Sequence, residues 1–226
     1  MAATLVVGAD KGIAHAIVRQ LHARGDEVVA ACLFDGADLA ADGITVEPNV
    51  NVTSDDSVRS LAVRLTDAGT KLAAVYHVAG VMWLDELGSI DYDSFRKQFE
   101  INTIGPLRTV EAVRDLLEPG AKVGIVTSRV GSLGDNSTGG MYSYRISKAA
   151  ANMVGLNLHH DLSKAGVSVL CLHPGMVATD LTKDYPGSHD YITADQAAAG
   201  LIANMDALTP ENSGRFQHSN GTFLQW

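Results

Sequence analysis

The side chains of Tyr144 and Lys148 are the strongest candidates for chemistry in this sequence. They lie four positions apart, and a helix places residues with that spacing on one face. A free tyrosine has a pKa of ~10, and a nearby cation lowers it toward the range in which the phenol exchanges a proton near neutral pH. The same spacing also occurs where a solvated lysine lies beside a half-buried ring. The pair therefore predicts an acid/base site only together with other residues.

Alternating strands and helices must position this pair. Short apolar runs alternate along the chain with stretches of helical periodicity. Strands this apolar, separated by helices, are typical of a parallel sheet covered on both faces. We therefore predict an α/β fold, a single doubly wound Rossmann domain over residues 1–226 with a parallel sheet of about seven strands and helices on both faces. The predicted strands cover residues 4–7, 28–33, 44–46, 72–78, 122–127, 167–172 and 215–218, and the predicted helices cover 13–25, 54–67, 91–117 with a kink at Gly105-Pro106, 144–165 and 195–208.

Composition and charge narrow the class of protein. The chain has 226 residues, of which 46% are hydrophobic and 19% charged, which suits one sizeable core. The formal net charge is −9 and the basic residues are scattered, which argues against nucleic acid and against an anionic membrane as partners. Cys32 and Cys171 lack the spacing of a disulfide framework or a metal site, and no secretory signal or membrane-spanning run is recognisable. We expect a cytoplasmic protein.

A glycine-containing turn follows the first predicted strand, where open α/β sheets bind phosphate. It reads Gly8-Ala9-Asp10-Lys11-Gly12-Ile13-Ala14. Gly8 permits a tight turn, and Gly12 lets the backbone approach a pyrophosphate. The helix that begins there offers free N–H groups and the positive end of its dipole. The spacing differs from the GxGxxG dinucleotide fingerprint, and such a turn also serves as an ordinary loop.

Taken together and in this order, these features resemble the short-chain dehydrogenase/reductase family over essentially the whole chain. The glycine turn is similar to the family's Gly-x-x-x-Gly-x-Gly, with Ala14 in place of the third glycine and His77 in place of a usual asparagine further on. The run from Gly139 to Lys148 and the ending Gly221 to Trp226 resemble a small carbonyl-reductase subgroup that includes the C-factor signalling proteins. The matching residues are Gly8, Gly12, the segment 77–80, Asn102, Ser128, Tyr144, Lys148, Pro174, Gly175 and Thr179.

The resemblance implies an NAD(P)-dependent oxidoreductase that transfers a hydride between a nicotinamide cofactor and a carbonyl or alcohol. Hydride transfer develops negative charge on the carbonyl oxygen, which needs a proton and aligned donors. Tyr144 would be the acid/base and Ser128 a donor to the carbonyl. Lys148 would hold the nicotinamide ribose and lower the pKa of the tyrosine, and Asn102 would anchor a water-mediated relay. Taken singly, a strand-end serine and a helix-interior asparagine also have structural uses.

Cofactor residues are expected along the strand ends. Cys32 occupies the end of the second strand, where an acid would bind a ribose hydroxyl or a base a 2′-phosphate, so NAD and NADP both stay open. Lys11 lies close to the expected 2′-phosphate, which favours NADP, although a solvated loop lysine is the alternative. Asn51 corresponds by resemblance to an aspartate that binds the adenine. The expected cofactor-binding residues are Gly8, Asp10, Lys11, Gly12, Ile13, Cys32, Leu33, Asn51, Val52, Ala79, Gly80, Tyr144, Lys148, Pro174, Val177 and Thr179.

The loops after strands 4, 5 and 6 are expected to bind the substrate. Their apolar residues predict a pocket for an apolar or aromatic ketone, aldehyde or alcohol, although such residues also pack on one another. The adjacent His159 and His160 do not face each other, so no metal site is predicted. The candidate pocket residues are Met82, Trp83, Met141, Tyr142, Met176 and Tyr185.

Two further expectations concern partners. The helix that carries Tyr144 is rich in small residues such as Ala150 and Gly155 and exposes apolar ones such as Met153, and the resemblance implies that this helix often forms a dimer interface. We predict a homodimer or homotetramer. A nucleotide-binding signalling or regulatory protein that keeps the pocket but acts through a partner is the alternative function. The presence of all four proposed catalytic residue types favours the enzyme.

Overall fold

The computed structural model describes residues 2–226 and is built around one seven-stranded sheet. The strand order is β3-β2-β1-β4-β5-β6-β7, and every neighbouring pair is parallel. Parallel neighbours require crossover connections, which the helices supply. The predicted doubly wound fold is confirmed. The strands are β1 Ala3–Val7, β2 Val28–Ala31, β3 Thr45–Glu47, β4 Leu72–His77, β5 Leu117–Val126, β6 Ser168–His173 and β7 Arg215–His218, and the helices are α1 Gly12–Ala23, α2 Ala37–Ala41, α3 Asp55–Asp67, α4 Tyr92–Phe99, α5 Gly105–Val113, α6 Tyr142–Leu162 and α7 Ala194–Asp206.

Apolar side chains cover both faces of the sheet. In β1, Val6 joins a core cluster that includes Ile17 of α1 and Leu201 of α7. Its neighbours Leu5 and Val7 join a second cluster with residues of α3, α5 and α6. Successive side chains of a strand point to opposite faces, so a strand buried on both sides must be apolar throughout. This explains why β1 shows no alternation of polar and apolar residues.

The predicted helix over residues 91–117 is divided in the structure. A π-helical turn, Glu100–Ile104, separates α4 from α5, and the N–H of Gly105 donates to the carbonyl oxygen of Glu100. Pro106 has no N–H to give to a regular helical ladder, which accounts for the irregularity next to it. Two smaller differences concern β5, which begins at Leu117 rather than residue 122, and α2, whose five residues are too few to show a helical period.

The sheet register brings the loops of the candidate site together. Val7 of β1 pairs with His77 of β4, which pairs with Ile125 of β5, which pairs with Cys171 of β6. The four strands therefore end at one edge, and the segments that follow them leave the sheet side by side. No helix among residues 2–226 combines the length and the hydropathy that crossing a membrane requires.

Helix α6 lies unusually close to β6. A Cβ atom added at Gly155 would lie 2.2 Å from Sγ of Cys171. The backbone at Gly155 is ordinary helix, so the glycine is needed for space rather than for conformation. This contact fixes the depth at which α6, and with it Tyr144 and Lys148, sits against the sheet.

We predict that Gly155→Ala lowers the free energy of unfolding by about 1–3 kcal/mol, the usual cost of overpacking, although alanine favours a helix over glycine by about 1 kcal/mol. In a Cys171→Ala background the same substitution should cost much less, because the blocking sulfur atom is gone. Urea unfolding of the parent, both single variants and the double variant measures this coupling. Additive effects would show that the contact does not limit the approach of α6.

Candidate active site

A cleft of about 1090 Å³ runs along the carboxyl ends of the strands. It extends from the turn after β1 to Tyr144 and Lys148, and loops after β2, β4, β5 and β6 form its walls. Single-ligand pockets typically have ~300–1000 Å³, so this cleft has room for a large ligand or for two smaller ones side by side.

The glycine turn after β1 allows the loop after β4 to approach it closely. Gly8 has a φ of 86°, and a Cβ atom there would lie 2.8 Å from backbone atoms of Ala79. Gly12 has a φ of 62° and begins α1. Positive φ values favour glycine, and the contact at Gly8 excludes every larger residue. The turn after β1 and the loop after β4 therefore meet at the floor of the cleft.

The N-terminus of α1 offers backbone N–H groups as hydrogen-bond donors at the floor of the cleft. Helices α3, α4 and α7 are capped by side chains of Ser54, Asp91 and Thr193. At α1 the cap residue is Lys11, which, within the part of the chain described, makes no side-chain capping bond. A helix N-terminus with unsatisfied N–H groups and a positive dipole is suited to a phosphate. Its chemistry fits the pyrophosphate of a dinucleotide.

Asp10 joins two segments of the cleft wall by hydrogen bonds. Its carboxylate accepts hydrogen bonds from the N–H groups of Leu33 and Phe34, each at 2.8 Å. These bonds join the turn after β1 to the loop after β2. Asp10 thus shapes the site through the backbone of its neighbours.

Cys32 lies outside the cleft. Its side chain is fully buried with Ala30 in the core beside α1, and burial raises the pKa of the thiol to about 12. The pleat of β2 continues for one residue and turns Cys32 toward that core, so the more exposed Leu33 and Phe34 form the wall. This corrects the expectation that residue 32 faces the cofactor ribose.

Lys11 reaches across the mouth of the cleft. Its Nζ lies 2.6 Å from Oδ2 of Asp180 in the loop after β6, and both side chains are more than 70% exposed, at 72% and 73%. The lysine lowers the pKa of the Asp180 carboxyl. Ion pairs this exposed are weak and open readily. Lys11 lies where the sequence places a 2′-phosphate contact, and Asp180 competes for it.

Asn51 lies where the sequence predicts the adenine contact, and its side chain makes local hydrogen bonds. Oδ1 of Asn51 accepts from the N–H of Thr53 at 3.0 Å and from its hydroxyl at 2.8 Å. Val52 is buried and packs against Gly105 at the start of α5. The side-chain oxygen of Asn51 therefore orders the loop that lines the cleft.

Helix α6 places Tyr144 and Lys148 on its buried face. Their exposed fractions are 7% and 4%, and Nζ of Lys148 lies 5.8 Å from the centre of the tyrosine ring. The ammonium donates to the carbonyl oxygen of Val126 at 3.1 Å. A Cβ atom at Gly80 would lie 3.3 Å from Nζ, so the loop after β4 also closes over the lysine. The phenol and the ammonium share one enclosed space.

Burial pushes both groups toward their neutral forms. It raises the pKa of Tyr144 to about 12, against a lowering effect of the Ser128 hydroxyl, and it lowers the pKa of Lys148 to about 8. The charged form of each group loses hydration when buried. For Tyr144, desolvation outweighs the opposing hydrogen bond of Ser128, so the neutral phenol is favoured.

Ser128 and Asn102 are the other two candidate catalytic residues besides Tyr144 and Lys148. Ser128 follows β5 and begins a 3₁₀ turn, Arg129–Gly131, where its Oγ accepts from the N–H of Val130 at 3.4 Å. Asn102 is buried in the π-helical turn, and its amide exchanges two hydrogen bonds with the backbone of Val81, at 2.8 and 2.9 Å. The amide of Asn102 thus holds the loop after β4, which is its structural use.

His77 takes the place of the family's asparagine at the end of β4. It is 1% exposed, and within residues 2–226 its Nε2 has no hydrogen-bond partner. Burial and then the charge of Lys148 lower the pKa of His77 to about 3. A neutral imidazole therefore lies near the lysine.

The substrate side is more polar than the sequence predicted. Met82, Met176 and Tyr185 line the cleft, while Trp83, Met141 and Tyr142 are not part of its wall. The backbone of Trp83 is held by the buried amide of Gln98, with two hydrogen bonds of 3.0 Å. Polar residues that line the cleft here but were not anticipated include Arg129, His173 and His218 near strand ends, Asp135 and Thr138 in the loop after β5, and Arg145 in α6.

Comparison with known proteins agrees with this geometry. The family described as short chain dehydrogenase matches residues 2–189. The chain is 78% identical to the 1-hydroxy-2-glutathionyl-2-methyl-3-butene dehydrogenase of Rhodococcus sp. (strain AD45) over the full length of both. It is 42% identical to the C-signal protein of Myxococcus xanthus over 62% of this chain and 83% of that one.

A solved structure supports the same assignment. The NADPH-bound carbonyl reductase from chicken fatty liver superimposes with a TM-score of 0.90 and 25% identity, covering 99% of this chain and 98% of that one. The resemblance to the carbonyl-reductase and C-factor group is confirmed. The chain belongs to the short-chain dehydrogenase family and is an oxidoreductase.

Proposed function

We propose that this oxidoreductase is an alcohol dehydrogenase that uses a nicotinamide dinucleotide and acts on an alcohol with a glutathionyl group on the neighbouring carbon. The observation that carries the dehydrogenase proposal is the burial of Tyr144 and Lys148 at the end of a cleft whose other end offers the free N-terminus of α1. Identity of 78% over the whole chain with the Rhodococcus dehydrogenase supports the substrate class.

Different residues of the chain have different roles in the proposed alcohol oxidation. A bound oxidised nicotinamide supplies the hydride acceptor and a positive charge. Tyr144 accepts the hydroxyl proton, and Ser128 donates a hydrogen bond to the same oxygen. Lys148 supplies a cation to the phenolate and a donor to the ribose. Because Tyr144, Ser128 and Lys148 are all at least 91% buried, water is largely kept from the proton path.

Tyr144→Phe should reduce kcat by at least ~10²-fold, the lower end of what general acid–base catalysis contributes, and leave the dissociation constant of the cofactor nearly unchanged. The substitution removes one proton-carrying oxygen and little contact surface. Steady-state kinetics beside a fluorescence titration with the cofactor measures both quantities. Activity within about tenfold of the parent would assign the proton transfer to another group.

Lys148→Met provides a second measurement on the same pair. For alcohol oxidation the active form of Tyr144 is the phenolate, so kcat/KM rises with pH through the apparent pKa of the tyrosine. Loss of the cation raises that pKa, which shifts the rising limb to higher pH. The cofactor should also bind more weakly. An unshifted profile with normal cofactor affinity would contradict the role given to Lys148.

We also propose that the choice between NADP(H) and NAD(H) depends on the ion pair between Lys11 and Asp180. The position of Lys11 and the NADPH in the chicken reductase favour NADP(H). The exposed Leu33 and Phe34 offer no charge to a 2′-phosphate, and Lys11 must leave Asp180 to bind one. NADP(H) is therefore our preferred cofactor, with NAD(H) as the alternative if the ion pair persists.

Lys11→Ala should weaken NADP(H) by roughly 10–100-fold, the effect of one charge-assisted hydrogen bond, and leave NAD(H) nearly unaffected. Asp180→Asn should strengthen NADP(H) selectively, because it releases the lysine. Dissociation constants of both cofactors for the parent and the two variants test this, with Asp184→Asn on the same loop as the control. Equal changes for both cofactors would make Lys11 a general phosphate contact.

We further propose a homodimer or homotetramer in the cytoplasm, with the outer face of α6 at the interface. Ile146 and Met153 are 44% and 56% exposed and lie seven positions apart, which places them on one stripe of the helix. Between them, Ala149 and Ala150 allow another helix to approach closely. Apolar stripes of this kind are commonly covered by a second copy.

Met153→Arg should shift the protein toward the 23.8 kDa single chain in sedimentation velocity, because an interface core does not accommodate an unpaired charge. Val63→Arg is the matched control, since Val63 is 52% exposed but lies on α3. A parent that sediments as a single chain at micromolar concentration contradicts the proposal. If only the Val63→Arg variant dissociates into single chains, the interface lies on α3 rather than on α6.

A further inference from the structure

We propose that Arg129 and His218 form a subsite that binds a carboxylate of the substrate's glutathionyl group. This inference rests on the proposed function and deepens it. Glutathione carries two carboxylates and one ammonium, so a conjugate of it is an anion. The chain as a whole has a formal net charge of −9 and must provide a local cation to receive such a substrate.

Arg129 is the cation next in sequence to Ser128, the proposed hydrogen-bond donor to the reacting oxygen. It follows Ser128 directly, in the 3₁₀ turn after β5, and it lines the cleft. Its side chain is 58% exposed, so an incoming anion can reach it. Consecutive Cα atoms lie ~3.8 Å apart, so the backbone of Arg129 lies close to that of Ser128.

The hydrogen bonding of Arg129 leaves donors for a second carboxylate. Asp135 accepts from Nε of the guanidinium and raises its pKa. A guanidinium has five N–H donors and binds carboxylates through two of them at once, so the terminal nitrogens can take another anion while Asp135 fixes the side chain. In contrast, Arg145 donates to the carbonyl of Val130 at 3.0 Å and to Thr138 at 2.8 Å, which ties it to the loop.

His218 supplies a neutral donor beside the guanidinium. Its Nδ1 accepts from the N–H of Asn220 at 3.1 Å, which places the proton on Nε2. Its ring meets that of His173 edge to face, with centroids 4.9 Å apart. Burial, and to a smaller extent the charge of Arg129, lowers the pKa of both imidazoles, and all three side chains line the same cleft. His218 thus donates a hydrogen bond without needing a charge.

The reach of the substrate fits this placement. In the substrate class proposed, sulfur is attached to the carbon next to the carbinol. Peptide units extend ~3.3–3.6 Å each, so the glycyl and γ-glutamyl carboxylates lie within about 10 Å of the sulfur atom. With the hydroxyl at Tyr144 and Ser128, a carboxylate with this reach would lie in the same cleft that Arg129 lines.

The test compares two substrates that have the same carbinol and differ in the group carried on sulfur, which is charged in one and uncharged in the other. One is 1-hydroxy-2-glutathionyl-2-methyl-3-butene, and the other carries a methylthio group in place of the glutathionyl group. Arg129→Gln should lower the ratio of kcat/KM for the first over the second by roughly 10–100-fold, as expected for loss of a charge-assisted hydrogen bond. The change should lie in KM, with partial rescue in Arg129→Lys. Arg59→Gln, which removes an exposed arginine on α3, is the matched control.

Inhibition separates failure of the subsite from failure of the proposed function. S-methylglutathione should inhibit the parent competitively against any alcohol that the enzyme oxidises, and inhibit Arg129→Gln and His218→Phe at least about tenfold more weakly. If the parent oxidises alcohols but S-methylglutathione does not inhibit it, the subsite is refuted while the dehydrogenase proposal stands. An equal loss of activity toward both substrates in Arg129→Gln would also refute the subsite. Absence of any alcohol oxidation in the parent would overturn the proposed function itself.

Discussion

The burial of Lys148 beside Tyr144 is the constraint on which the rest of the site depends. A lysine that is 96% buried requires compensation, and the structure gives it the carbonyl of Val126 and the face of the Tyr144 ring. Such proximity requires neighbouring residues without a side chain. A Cβ atom at Gly131 would lie 2.7 Å from the backbone of Lys148, and one at Gly80 would lie 3.3 Å from its ammonium. Glycines at two strand ends therefore make the enclosure possible.

The same burial raises the pKa of the Tyr144 phenol and lowers the pKa of the Lys148 ammonium. A ligand that excludes water and brings positive charge would stabilise the phenolate form of Tyr144. The uncapped N-terminus of α1 at the opposite end of the cleft favours a ligand that brings negative charge. A dinucleotide with a cationic ring at one end and a pyrophosphate in the middle satisfies both demands. The cofactor proposal thus follows from electrostatics as well as from the family.

Periodicity predicted the sheet, its helices and the grouping of Gly8, Ser128, Tyr144 and Lys148, because strand ends in a parallel sheet meet at one edge. It could not predict side-chain direction one residue beyond a strand, which is why Cys32 was expected in the cleft. Nor could it predict the contact between Lys11 and Asp180, which are 169 positions apart and meet only through the folded loops. The polar character of the substrate wall could not be predicted either, because residues such as Asp135 and Arg145 reach the cleft only through the folded loop after β5.

In the proposed site, the donor to the reacting oxygen and the cation for the substrate's carboxylate are neighbours in the chain. Ser128 follows β5, and the 3₁₀ turn that begins there carries Arg129, which lines the same cleft. A substrate whose anion lies a few bonds from its alcohol would then be oriented by two points of contact. Orientation of this kind raises kcat/KM without any change in the proton-transfer residues. A change at the residue after the serine would then change the preferred substrate and leave Tyr144 and Lys148 as they are.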